Sequence, residues 1–375
     1  NTMTGAMYAA VSGLRTHMQF MNVIGNNISN VNTAGYKAAR YIFNEALYTN
    51  VKSGSNSTMT RGGTNPAQIG YGTGVGTIDL DMSTKNFTPT GRPGDITIDG
   101  DGFLLVGDKN LGPFESAEDA KALYLTRLGN LRFDDDGWLV DGNGNSVYGW
   151  IEVQKDDANA GGDDDDGETQ KTTTARILTA IRLPMVASDG SAVFPKAENG
   201  QIVDAEAGAT VDQGNNAAGG ANDVKVLDKR ILLDSLTIAK NGQITGVIKD
   251  GDGAVITIGY IAVGQVDNPN GVTHMDGHYY QALDGAGNLH VASIGGVVKP
   301  TNQLEDDEVD EELCDGIDIE HSGKTEFVPN GLESSGTELA TEISNMIMMQ
   351  RGYQANTRII TVTDSMLEEL VNIKR

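Results

Sequence analysis

One segment of the sequence has oxygen-bearing side chains at the spacing of a calcium-binding loop. Asp141, Asn143 and Asn145 stand at its first, third and fifth positions, and Glu152 stands at the twelfth. Carboxylate and amide oxygens at this spacing bind a hard cation such as Ca²⁺. The sixth position is Ser146, where the sharp turn of such a loop needs glycine. The segment is therefore predicted to be a polar turn, with calcium binding as the alternative.

Two further clusters contain groups that bind divalent metals. His274 and His278 are four residues apart, but the Asp-Gly pair between them indicates a hairpin turn and not a helix that would align the two imidazoles. The acidic run 163–166 could hold a divalent ion weakly, although like-charged runs are typical of solvated loops. We therefore predict no metal site and no cofactor.

Catalysis finds little support in the residue pattern. The sequence has no Gly-x-Ser-x-Gly nucleophile elbow and no Walker loop. The glycine-rich stretch 70–76 lacks the lysine and the following helix of a phosphate cradle, and is interpreted as a flexible or tightly turning connector. The prediction is that the chain is not an enzyme and has no catalytic residues, with a β-rich hydrolase as an alternative that lacks a recognisable site.

Heptad spacing at both chain ends is the most informative pattern, and it predicts long amphipathic helices. The N-terminal stripe consists of Met7, Val11, Leu14, Met18, Met21 and Ile28, and only Gly25 interrupts it. The C-terminal stripe consists of Leu339, Ile343, Met346, Tyr353, Ile360, Leu367 and Val371, with polar residues at three intervening positions. A C-terminal helix of ~35 residues would be ~50 Å long.

These two stripes are the predicted assembly interface. Two such helices can pair with each other and still leave faces that need other partners. The methionines make those faces adaptable, because a flexible thioether side chain fits varied surfaces. The pattern favours self-assembly, and a closed helical bundle within one chain is the alternative.

The middle of the chain changes to strand signals. Sixteen Asp-Gly or Asn-Gly pairs lie between Asp99 and Gly331, and such pairs are strong hairpin signals. Short alternating segments such as 96–98 and 256–258 separate them. Residues 151–224 are rich in Gly, Asp and Asn runs and are interpreted as an insertion with flexible loops.

Charge is unevenly distributed along the chain. The total is 27 Lys and Arg against 52 Asp and Glu, a net charge of −25; residues 1–76 hold five basic residues and one acidic residue, and 335–375 hold four and five. The strongly acidic middle argues against nucleic acid and against an anionic membrane surface as partners. No apolar run long enough for a transmembrane helix and no Sec-type signal is present. Neither Cys314 nor the acidic run 305–320 receives a role.

Four separated segments resemble one known family. Residues 26–37 read Asn-Asn-Ile-Ser-Asn-Val-Asn-Thr-Ala-Gly-Tyr-Lys, and with the preceding helix they resemble the N-terminal signature of bacterial flagellar axial proteins of the rod and hook. The stretches 90–103 and 126–137, and 331–356 at the other end, match that family in the same order. The chain length and the 151–224 insertion are most similar to hook subunits, with distal rod subunits as the alternative.

The resemblance implies a structural subunit that polymerises into a flexible tube and transmits torque from rod to filament. The implied partners are further copies of the chain in a helical homopolymer, the rod and hook–filament junction proteins, the hook cap and the type III export apparatus. The implied location is the basal body and extracellular hook, reached without a cleaved Sec signal. The alternative from a different class is a secreted acidic calcium-dependent binding module.

The expected fold is mixed α and β. Terminal α-helices are expected to form a coiled-coil inner domain, with β-rich middle domains around it. The predicted boundaries are 1–32 with 335–375 for the helical assembly domain, 33–76 for a connector, 77–150 with 225–334 for an inner β domain, and 151–224 for an inserted outer β domain.

Overall fold

The computed structural model describes residues 2–114, 119–156, 172–198, 201–215, 221–249, 254–294 and 325–373. The acidic runs 163–166 and 305–320, with Cys314, lie outside these residues. The chain forms two compact units, Asn1–Asp81 with Ser335–Arg375 and Met82–Ser334. No helix among the described residues is long and apolar enough to cross a membrane.

The first unit contains two long helices and four strands. The helices are Thr2–Ser29 (α1) and Leu339–Ile373 (α2), and the strands are Ala39–Glu45 (β1), Tyr48–Lys52 (β2), Ala67–Gly70 (β3) and Thr73–Leu80 (β4). Helix α2 has 35 residues, the predicted length. The helices run antiparallel, because Gly13 lies against Asn356 while Asn27 binds Glu342. The predicted terminal helices are therefore confirmed.

Residues 33–76, predicted to be a connector, instead form strands of the first unit. Strands β1 and β4 pair antiparallel, and β2 and β3 form a hairpin. Strand β1 packs its rings on α1, with Tyr41 stacked on Phe20 at 5.1 Å between centroids. The glycine-rich stretch includes a tight turn at Gly72, where φ is 111° and a Cβ would clash with the Ser12 hydroxyl on α1. The boundary differs because β1 buries Tyr41 against α1, a contact that the helical pattern alone did not reveal.

The second unit is built almost entirely of strands, as predicted for the middle of the chain. They are Phe87–Pro89 (β5), Asp95–Asp99 (β6), Phe103–Gly107 (β7), Tyr124–Thr126 (β8), Gly129–Asn130 (β9), Arg132–Phe133 (β10), Leu139–Val140 (β11), Ser146–Asp156 (β12), Thr172–Ala180 (β13), Met185–Ala187 (β14), Ala192–Val193 (β15), Lys196–Glu198 (β16), Gln201–Val203 (β17), Thr210–Asn215 (β18), Ala221–Arg230 (β19), Leu233–Ile238 (β20), Gln243–Ile248 (β21), Val255–Val266 (β22), Thr273–His274 (β23), Tyr279–Gln281 (β24), Leu289–Ser293 (β25), Glu326–Pro329 (β26) and Gly331–Glu333 (β27).

The core of this unit lies around a 14-stranded sheet in which β7, β12 and β22 are central. Strand β12 pairs with β13, with Trp150 opposite Leu178, and with β22, with Trp150 opposite Tyr260. Trp150, Leu178 and Ile261 are 0–1% exposed. The turn that an Asp-Gly pair predicts is present at Gly137, whose φ of 79° is a conformation that glycine adopts without strain.

Two family-like segments meet beside this sheet. Strand β27 pairs with β5, and β26 pairs with β6. Arg127 and Glu333 form an ion pair of 3.9 Å with both side chains at most 2% exposed, and Arg127 also donates to the Gly100 carbonyl at 2.8 Å. Burial lowers the pKa of the Arg127 guanidinium, and the Glu333 charge opposes that shift. The residues that resemble the family thus hold the two strands before α2 in place.

The predicted insertion 151–224 divides differently. Its first part, through β13, belongs to the large sheet, since Ile151 and Ile177 are buried in the main core. Strands β14, β15, β18 and β19 form a separate four-stranded sheet with a small core of its own. Between β15 and β18 the chain returns to the large sheet, where β16 pairs with β12 and with β17. The two ends of the segment 185–230 nevertheless meet, because Ile231 N donates to Pro184 O at 3.2 Å. The observed boundary differs from the predicted one because β12 and β13 pair continuously, and composition does not reveal strand pairing.

Candidate assembly surface

The face of α1 that packs within the chain is offset from the predicted stripe, by one position at four of its five buried residues and by two at Thr16. Its buried residues are Ala10, Gly13, Thr16, Ile24 and Asn27. All except Ile24 are small or polar, so side chains of α2 can approach closely: a Cβ added at Gly13 would lie 2.6 Å from Asn356 Nδ2. Thr16 also donates to the Thr73 carbonyl at 3.2 Å. This face attaches α1 to α2 and to β4.

The predicted N-terminal stripe is turned away from this packed face. Val11 and Met18 are 38% and 50% exposed. The other members, Met7, Leu14, Met21 and Ile28, are half-buried. The helix therefore presents a row of apolar side chains that the chain itself covers only in part.

The predicted C-terminal stripe divides between two faces of α2. Met346, Ile360 and Leu367 are half-buried, whereas Leu339, Ile343, Tyr353 and Val371 are exposed. The only buried residue of α2 is Thr363. A 35-residue helix with one buried position gains little from packing within this chain.

Sequence reasoning missed a second stripe on α2, here called the outer stripe. It consists of Ile359, Val362, Met366, Leu370 and Ile373, which are 44–80% exposed. Steps of three and four residues connect them, so the spacing was a readable signal. The single heptad phase chosen for the C-terminal stripe left these positions out.

The α1–α2 contact includes the imidazole ring of His17. His17 Nδ1 lies 3.2 Å from Met349 Sδ, and the ring stands edge-on to Phe43 at 5.8 Å. A Cβ at Gly352 would lie 3.0 Å from His17 Nε2, so a side chain at this position of α2 would crowd the His17 ring. Burial lowers the pKa of His17, which favours the neutral form.

The calcium-like segment is a hydrogen-bonded turn. Asp141 Oδ1 accepts from the backbone N–H groups of Asn143 and Asn145, both at 2.9 Å, and Oδ2 accepts from the Tyr279 hydroxyl at 2.5 Å. Burial and this carboxylate raise the pKa of Tyr279 to about 12. Over the ranges that the structure describes, no three His, Cys, Asp or Glu side chains are placed to hold one metal ion.

The two histidines lie at the hairpin that their Asp-Gly pair predicts. His274 ends β23 and His278 precedes β24, and these strands pair antiparallel. The His274 ring stands edge-on to Tyr280 at 5.1 Å. Burial, followed by the nearby His274, lowers the pKa of His278. Ring packing accounts for the position of His274.

Comparison with known proteins places the similarity at these helices and along the whole chain. Residues 7–37 match the family described as flagella basal body rod protein, and 329–373 match the C-terminal domain of flagellar basal body rod FlgEFG proteins. The flagellar basal-body rod protein FlgG of Bacillus subtilis is 28% identical over 100% of both chains. The flagellar hook protein FlgE of Borreliella burgdorferi is 26% identical over 99% of this chain and 100% of its own. The hook protein FlgE of Treponema pallidum is 31% identical over 40% of this chain and 30% of its own.

The class of the protein follows from these matches and from the helix pair. The resemblance to rod and hook axial proteins is confirmed, since the two matched domains include the segments that carried it at both ends of the chain. The two matched domains, together with rod and hook proteins that align along the whole chain, support a structural subunit of the flagellar hook or rod, in the flagellar basal body or hook.

Proposed function

We propose that this chain is the subunit of the flagellar hook, and that it polymerises into a flexible tube which transmits torque from rod to filament. The observation that carries the proposal is the exposed apolar surface of α1 and α2 in a chain whose other unit buries its own apolar side chains. Apolar patches of this extent mark association surfaces.

Further copies of the same chain are the proposed occupants of this surface. The N-terminal stripe, the exposed part of the C-terminal stripe and the outer stripe lie on different faces of one helix pair, so a subunit can contact neighbours on several sides. Such heterologous contacts, repeated by one operation, give a helical tube. The proposed packing of these helices is the coiled-coil inner layer.

Charge supports the arrangement of the layers. Asn1–Asp81 with Ser335–Arg375 contains nine basic and eight acidic residues, whereas Met82–Ser334 contains 18 and 44. Nearly neutral helices can crowd together, while an acidic outer unit faces water and keeps free subunits dissolved. This charge is also why we propose no nucleic acid and no membrane surface as partners.

The hook is preferred to the distal rod because of the four-stranded sheet between Pro184 and Ile231. In this family an additional outer domain is typical of the hook subunit, and the resemblance to it rests partly on this insertion. The distal rod remains the second candidate, because a relative named as a rod protein aligns over the full length of both chains. The proposed partners at the tube ends are the rod, the junction proteins and the hook cap. Export is proposed through the type III apparatus, and no catalytic role or cofactor is proposed.

Two experiments test the proposal in sequence. Purified chain is concentrated under polymerising conditions and imaged by electron microscopy; tubes are expected, and a persistently monomeric chain would contradict assembly. The gene is then deleted in the source bacterium and basal bodies are imaged. Complete rods without hooks are expected for the hook subunit, whereas truncated rods would assign the chain to the distal rod.

A further inference from the structure

The family-like segment 26–37 contains a hydrogen-bond centre at the end of α1. Asn27 is 1% exposed and uses both ends of its amide. Its Oδ1 accepts from Ala39 N at 3.0 Å and from the Tyr36 hydroxyl at 3.1 Å. Its Nδ2 donates to Ala39 O and to Glu342 Oε1, both at 2.9 Å. One side chain thus connects α1, the start of β1 and the first turn of α2.

Hydrogen bonds to the backbone extend this connection. The Thr337 hydroxyl donates to the Asn27 carbonyl at 3.0 Å, and the Ser335 hydroxyl donates to the Asn30 carbonyl at 2.9 Å. Gly336 N donates to the Tyr36 carbonyl at 2.8 Å. The chain entering α2 is therefore fixed to the chain leaving α1.

The rest of the α1–α2 contact does not define a single alignment in the same way. Asn356 lies against Gly13, His17 lies against Gly352, and the flexible Met349 contacts His17. Heptad surfaces with small residues at the contact can pack after a shift of one helical turn, and a buried Asn in such a seam is a known means of selecting one alignment. A shift of about 5.4 Å would remove Glu342 from Asn27 and leave a buried amide N–H without its acceptor.

We propose that Asn27 is a positioning residue that sets the register of α1 against α2. Register determines which residues of the N-terminal stripe lie level with those of the outer stripe. It therefore determines the surface that each subunit presents to its neighbours; this last step rests on the proposed assembly function.

Cysteine cross-linking in the full-length chain measures the register directly. With Cys314→Ser as background, Gly13→Cys with Asn356→Cys reports the observed alignment. Gly13→Cys with Ile360→Cys, or with Gly352→Cys, reports a shift of one turn in either direction. Dilute, unassembled chain is oxidised and the ratio of the pairs is compared. Asn27→Leu is expected to lower the ratio of observed to shifted cross-links on the order of tenfold, while Asn22→Leu on the exposed side of α1 leaves it unchanged.

A rescue separates positioning from general stability. Asn27→Asp cannot donate to Glu342 and places two carboxylates together, so it should also lower the ratio. Adding Glu342→Gln reverses donor and acceptor across the same contact, while the Ala39 carbonyl still lacks the donor that Asn27 supplied. The double variant is therefore expected to recover most of the ratio that Asn27→Asp loses. A normal ratio in Asn27→Leu, or no recovery in the Asn27→Asp, Glu342→Gln double variant, would overturn the proposal; recovery upholds it even if Asn27→Leu alone fails to fold.

The consequence for assembly is tested separately. Because cross-linking uses unassembled chain, its result does not depend on tube formation. If the parent chain never forms tubes, the proposed hook function fails while the register result stands. If tubes form, Asn27→Leu is expected to form few of them and the double variant to form them normally. Normal tubes from a register-shifted variant would overturn the link between register and assembly.

Discussion

The two units of the chain treat their apolar residues in opposite ways. Of the large hydrophobic side chains that are exposed among the described residues, 24 of 33 lie in Asn1–Asp81 and Ser335–Arg375, which are 122 of the 375 residues. Of the hydrophobic residues that are buried, this unit has 3 of 48. The β unit buries most of its apolar side chains in its own core, whereas the helical unit leaves most of its large apolar side chains exposed, as an association surface would.

Removing part of the self-sufficient unit has the largest expected effect, and the place of the cut decides the outcome. Deletion of 151–224 removes β13 and half of β12 with buried residues such as Ile177 and Leu178, so the β unit should lose its cooperative melting transition. Deletion of 185–230 removes the four-stranded sheet and the β16–β17 hairpin, which pairs with β12 at Gln154 and Lys155. It joins Pro184 to Ile231, which are already hydrogen-bonded at 3.2 Å, and should leave a cooperative transition in place. Calorimetry on both variants checks this; two unfolded proteins would show that the four-stranded sheet is not separable.

A charge in the outer stripe is expected to abolish assembly without unfolding the monomer. Met366 is 48% exposed in the single chain, so Met366→Asp meets water there. In a tube the same carboxylate would be buried at every copy, at a cost of several kcal/mol. The critical concentration should therefore rise by more than about a hundredfold. Sedimentation of assembled material measures it.

The matched control for this variant is Ser365→Asp. Ser365 is exposed and adjacent but lies off the outer stripe. It adds the same charge to the same helix, so general repulsion between subunits affects both variants equally. Equal loss of assembly in the two variants would show that charge, and not burial of the stripe, is responsible.

A pair of identical truncations tests the contrast between the units more finely. Leu104 is 0% exposed in the main core and Leu370 is 50% exposed on the outer stripe. Leu104→Ala should cost about 2–5 kcal/mol and lower the melting temperature of the β unit by roughly 5–15 °C. Leu370→Ala should change monomer stability by no more than about 0.5 kcal/mol. In the sedimentation assay the larger effect should come from Leu370→Ala, which should raise the critical concentration for assembly more than Leu104→Ala does. If Leu104→Ala had the larger effect in both assays, the contrast between the two units would be refuted.

The terminal helices could be predicted because their evidence is local and periodic. A heptad spacing predicts a helix without knowledge of its neighbours, and the 35-residue length of α2 followed directly. The hairpins were equally accessible, since an Asp-Gly pair such as that ending at Gly137 favours the positive φ of a turn.

Which face of each helix is covered could not be predicted in the same way. The packed face of α1 includes Gly13, Thr16 and Asn27, which a hydrophobic pattern does not count as core. Their burial depends on close approach and hydrogen bonding to segments distant in sequence. The same reason applies to β1, whose Tyr41 is buried by Phe20 of α1, and to the boundary after β13, which depends on pairing with β12.

The smallest expected effect is a loss of helix pairing at alkaline pH through Tyr36. Its hydroxyl donates to Asn27 Oδ1 and accepts from Asn26 Nδ2 at 3.2 Å. Burial, and then the charge of Glu342, raise the pKa of Tyr36 above its usual value. A raised pKa in the folded chain means that its contribution to stability is complete below pH ~10 and is lost as the pH rises through the folded-state value. The ionised oxygen can no longer donate to Asn27 and stands near a carboxylate.

Alkaline titration of the helical circular dichroism signal measures this effect. Wild type should lose signal above pH ~10 more steeply than Tyr36→Phe, which lacks the ionising group but begins from a slightly less stable pairing. Tyr8→Phe is the control, because Tyr8 is 69% exposed and its replacement should leave the wild-type curve unchanged. Coinciding curves for wild type and Tyr36→Phe would mean that the hydroxyl contributes nothing to the pairing. The contact between Asn27 and Glu342 would then hold the helix ends without it, because that bond involves neither the Tyr36 oxygen nor its proton.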